Sequence, residues 1–137
     1  MTRQEVVVSL PENLYLRLQR VAKATHRSFS DILLHAVEAG SPPSWEEAPA
    51  EFQQELAALD RLNDEALWEI ARSRRAEADM ARVQELLDKN ANGTLSAAER
   101  NELNRFRQEA DRFMLRKAHA AALLRWRGHK LPPADKL

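Results

Sequence analysis

The chain has no cysteine, so disulfides and thiolate metal sites are excluded. Glycine is scarce, with three residues, and proline contributes six. So few breakers in a chain rich in alanine, leucine, glutamate and arginine favour helix. No apolar run approaches the ~20 residues needed to span a bilayer. The opening stretch MTRQEVVVSLPEN lacks the apolar core of a signal peptide, and a cytoplasmic protein is expected. Catalytic signatures are missing as well. His26, His35, His119 and His129 are scattered without a base, nucleophile or ligand at useful spacing, and there is no HExxH, serine triad or phosphate loop. The sequence therefore implies neither an enzyme nor a cofactor.

What is present is 137 residues, 44% hydrophobic and 31% charged, ordinary for a foldable chain of one domain or two very small ones. The net charge of zero conceals an uneven spread. Residues 1–40 carry five basic and four acidic groups, residues 41–99 six and thirteen, and residues 100–137 ten and four. The acidic middle and basic end either pack on each other or meet a charged partner.

Glu5-Val6-Val7-Val8-Ser9-Leu10 is short and β-branched, and reads as a strand. Pro11 follows at a place where its missing N–H starts a helix at little cost. Leu14, Leu18, Val21 and Ala22 give that helix an apolar stripe. After Thr25-His26-Arg27, Ser28 or Ser30 caps a second helix that buries Phe29, Ile32, Leu33, Ala36 and Val37 and ends at Gly40. A lone strand needs a neighbour for its backbone, and forty residues make too small a core, so a homodimer through residues 5–10 is expected.

Ser41-Pro42-Pro43-Ser44 opens a linker over 41–47. Helices are predicted over 48–59, 64–72 and 76–89, and a long one from Ser96 with no breaker before Gly128. Its apolar stripe runs through Leu103, Phe106, Ala110, Phe113, Met114, Ala118, Ala121 and Leu124, long enough to stand out as an arm or to pack as a hairpin.

The stretch Asp88-Lys89-Asn90-Ala91-Asn92-Gly93-Thr94-Leu95-Ser96-Ala97-Ala98-Glu99 matches the calcium-loop pattern of an EF-hand. The same letters also spell a helix-hairpin turn, with Asn92-Gly93 ending one helix and Ser96-x-x-Glu99 boxing the start of the next. The turn is the preferred reading. Only two carboxylates would face an ion, no second hand is present, and Arg100 stands where an apolar residue is usual.

In element order, the Leu10-Pro11 junction and the Arg27-Ser28-Phe29-Ser30 turn, residues 5–40 resemble the ribbon–helix–helix superfamily. The resemblance implies a mainly-α protein. Its N-terminal module over 1–40, one strand and two helices, would dimerise through an intermolecular two-stranded sheet, and an all-α region over 48–137 with a long last helix would follow. It also implies operator DNA as a partner, with the ribbon in the major groove. Leu10, Val8 and Val6 would face inward, while Glu5, Val7 and Ser9 would face the bases, Arg3 would lie just outside, and Ser28 and Ser30 would meet a phosphate. Glu5 is a poor phosphate neighbour.

The whole arrangement resembles an antitoxin of a bacterial toxin–antitoxin pair. That likeness implies a toxin partner, a small nuclease, held by the helical region. The basic and apolar stretch near the end offers Leu123 and Trp126 as anchors, and Arg116, Arg125 and Arg127 as partners for carboxylates. A stand-alone repressor and a non-enzymatic structural adaptor are the competing readings.

Overall fold

The computed structural model describes residues 2–137, and Met1 lies outside them. The chain divides into two compact units, the first ending at Ser41 and the second spanning Pro42–Leu137.

In the first unit, α1 (Glu12–Thr25) begins directly after Pro11. It stops at His26, whose φ of 55° is left-handed and turns the backbone so that the His26 and Arg27 N–H groups cap Lys23 and Ala22 carbonyls. The second helix, α2 (Phe29–Gly40), starts at Ser28, whose hydroxyl accepts from the Asp31 N–H. The two helices pack together, with Tyr15 and Phe29 ring centroids 5.2 Å apart.

Residues 5–10 form no strand, and none occurs among the described residues. This corrects the expected ribbon–helix–helix architecture, although the mainly-α class holds. The physical reason is local. A strand needs a parallel or antiparallel backbone to take its N–H and C=O groups, and beyond Pro11 this chain offers only helices, turns and irregular segments. The valine run signals strand preference without supplying anything to pair with.

The second unit contains α3 (Ala50–Leu59), α4 (Asp64–Arg72), α5 (Glu77–Ala91) and α6 (Ala97–Trp126), with a short 3-10 turn at Ala134–Lys136. The 30-residue α6 packs along α3, α4 and α5 and does not project as an arm. Its two halves do different work. Towards its C-terminal end, Ala120, Leu123 and Leu124 close a core with Phe52, Leu56 and Leu59 of α3 and Leu67 and Ala71 of α4. Towards its N-terminal end, where Leu103 is buried, it packs with α5, whose Leu86 is fully buried.

The α5–α6 connection is the predicted hairpin turn. Gly93 has φ +71°, and Ser96 and Glu99 exchange both bonds of a capping box. Glu99 is also held by Lys89 Nζ at 2.6 Å, and Asp88 accepts from Gln84, so both acidic ends of the calcium-loop pattern serve the turn and its helices. Arg82 then forks onto Glu102 through two bonds of 2.8 Å. Trp45, expected in the linker, packs against the second unit's core, and its indole N–H donates to Asp60 at 3.2 Å.

Candidate functional site

The residues expected to read DNA are all exposed: Arg3, Glu5, Val7, Ser9, Ser28 and Ser30. Ser28 caps its own helix by accepting from the Asp31 N–H, and Asp31 puts a negative charge in the first turn, which disfavours a phosphate there.

The residues expected to grip a partner are divided in their surroundings. Leu123 is 3% exposed and belongs to the core. Arg127 donates to the carbonyl of Leu62 and to Asp64 Oδ1, each at 2.8 Å, and to the carbonyl of Asp60 at 3.2 Å. Arg116 lies 3.0 Å from Glu55. These three hold the unit together. Arg125 and Trp126 are exposed.

A polar cluster ties the α3–α4 turn to the end of α6. His119 is buried, with Nε2 2.8 Å from Asp60 Oδ1. His129 Nε2 lies 2.7 Å from Asp64 Oδ2 and stands edge-on to Trp68. The Arg127 guanidinium, followed by the His129 ring, holds the Asp64 carboxyl below its usual range. Each imidazole is thus oriented by a carboxylate, and each carboxylate is held a second time, Asp60 by Trp45 and Asp64 by Arg127. The arrangement braces a turn.

The surface with open chemistry lies on α4. A groove of about 420 Å³ is lined by Glu55, Glu69, Ile70, Glu109, Phe113 and Arg116 among others. Glu55 engages both Arg112, at 3.1 Å, and Arg116. The side chains of Glu69 and Glu109 take part in no ion pair or hydrogen bond. Glu69 also borders a second recess, shared with Glu65, Trp68 and Arg72. The Arg72 guanidinium lies 4.5 Å from the Trp68 ring centre.

Sequence reasoning looked for a partner surface at the end of the last helix and passed over Glu65, Glu69 and Glu109. The available signal was the spacing Glu65-x-x-Trp68-Glu69-x-x-Arg72, which puts charges and an indole on neighbouring positions of one short helix.

Among the described residues no cluster of three or more histidines and carboxylates is arranged to hold a metal ion, and no helix is long and apolar enough to cross a membrane. Comparison with known protein families, characterised proteins and solved structures finds no match.

Proposed function

We propose that this chain is a two-part, non-enzymatic binding protein of the antitoxin type. The first unit joins two copies, and the helical unit holds a partner protein, a small nuclease. One contrast carries this reading. The first unit buries only Ala22 and Ile32 among its described residues, while Val6, Val7, Val8, Leu34 and Val37 are each at least half exposed. Leu34 and Val37 sit three residues apart and share a face of α2. So much aliphatic surface on so small a module is what a second copy covers. Self-association here needs the helix pair and no strand.

The second unit supports the other half of the reading. Its core is closed, and among the described residues no buried side-chain polar atom lacks a partner. It offers a partner a preformed surface, unlike a tail that orders on binding.

Sedimentation velocity of the full chain is the test. A dimer at micromolar concentration is expected, and Leu34→Glu/Val37→Glu should make it monomeric while retaining helical circular dichroism. A monomeric wild-type chain overturns the dimer. For the partner, the product of the neighbouring gene is coexpressed. Copurification with loss of its nuclease activity is expected, whereas salt-dependent binding of the chain's own promoter DNA with no protein partner points to a repressor instead.

A further inference from the structure

We infer that the outer face of α4, continued by Ile70, Phe113 and Glu109, is a docking surface for an arginine-bearing, apolar-edged segment of a partner protein. It rests on the partner-holding role proposed above and gives that role a place and a chemistry.

Three observations converge. The groove over Ile70 and Phe113 is an open apolar floor of about 420 Å³. Its arginines, Arg112 and Arg116, are both held by Glu55, which leaves Glu69 and Glu109 as exposed carboxylates without a cation. Along the same helix Glu65 adds a third exposed carboxylate beside Trp68, and the Trp68 ring already accepts the guanidinium of Arg72. Exposed carboxylates without an ion pair suit a partner's guanidinium, which bonds carboxylates in a fork. Aliphatic neighbours of that arginine would fill the floor between Ile70 and Phe113.

The charge also selects among occupants. With Glu55, Glu65, Glu69 and Glu109 against Arg72, Arg112 and Arg116, the lining stays acidic by one charge, and its unpaired groups are all carboxylates, which disfavours nucleic acid. A protein that cleaves nucleic acid is attracted, because it presents arginine and lysine to phosphate. Carboxylates spaced along one helix can meet the same basic surface in place of phosphates.

The probe is the peptide acetyl-LRIRL-amide, titrated into the full-length, ¹⁵N-labelled chain and compared with the same peptide carrying glutamate at both arginines. The expected result is a shift of the Trp68 indole resonance and of amides in 65–73 and 109–116. These shifts should occur with the arginine peptide alone and weaken with added salt. Glu69→Gln/Glu109→Gln, both exposed positions, should raise the dissociation constant about fivefold or more with unchanged circular dichroism. Shifts elsewhere, equal shifts with the glutamate peptide, or undiminished binding to the double variant overturn the inference. If the double variant still captures and silences the nuclease, the docking surface is wrong and the antitoxin reading stands. If the peptide binds on α4 but no nuclease copurifies, the surface stands and the nuclease assignment falls.

Discussion

Arg127 lies with Nη1 2.8 Å from Asp64 Oδ1, and the same nitrogen donates to the Leu62 carbonyl, so one guanidinium closes the α3–α4 turn onto the end of α6. The geometry uses the planar fork, because a second nitrogen reaches the Asp60 carbonyl at 3.2 Å. Arg127→Ala leaves backbone carbonyls without their donor and should cost about 1–2 kcal/mol. Arg127→Lys keeps the charge but cannot span these acceptors, so it should recover less than half of the loss. Thermal melting of the two variants beside wild type checks this. An alanine variant as stable as wild type would show that the clamp contributes nothing.

Acid should loosen the helical unit through its depressed carboxylates. Lys89, followed by the Ser96 N–H, holds Glu99 down to about 2 from 4.5, and Arg82 holds Glu102 below its usual range. A carboxylate with a lowered folded-state pKa stabilises the fold above its unfolded value and loses that contribution as pH falls through the folded value. The loss therefore falls between about pH 4.5 and pH 2. Melting temperature should decline across that window, and Glu99→Gln should flatten the decline while lowering the melting temperature at pH 7.

The helices were legible because their signals are local. Ser28 and Ser96 cap α2 and α6, as their positions suggested, and the Gly93 turn has the left-handed backbone that its residue type favours. Tertiary placement was not legible. Arg127 and Asp64 are 63 residues apart, and no periodicity tells whether a basic residue near a helix end turns to a partner or to its own fold. Val6 to Val8 show the opposite limit. Their strand preference is local, but a strand is completed by a neighbour, and the chain provides none. Glu69 and Glu109 lie on different helices, and only packing brings them to one groove.

Two left-handed positions should respond in opposite directions. Gly93, with φ +71°, has nothing within 4 Å of the place a Cβ would take, so Gly93→Ala meets backbone strain without a clash and should cost about 1 kcal/mol. His26 occupies the same region, with φ 55°, as the cap of α1. His26→Gly removes that strain and should stabilise the first unit by a few tenths of a kcal/mol, a partial gain because glycine also loosens the unfolded chain. Denaturant midpoints resolve both signs, and a destabilised His26→Gly variant would mean that the imidazole contributes more than the strain costs.

Leu123 and Arg125 stand two residues apart on α6 and separate core from surface. Leu123 is 3% exposed among Phe52, Leu67 and Leu124, whereas Arg125 is exposed. Leu123→Ala removes buried methyl groups and leaves a cavity, and should cost about 2–5 kcal/mol. Arg125→Ala should stay within about 0.5 kcal/mol of wild type. Equilibrium denaturation of each variant measures the difference, and partner capture is then read at a temperature where both remain folded. If capture is lost in Arg125→Ala and kept in Leu123→Ala, the end of α6 contacts the partner through its charge, with Leu123 acting only beneath it. A Leu123→Ala variant as stable as wild type would instead remove Leu123 from the core and return it to the partner.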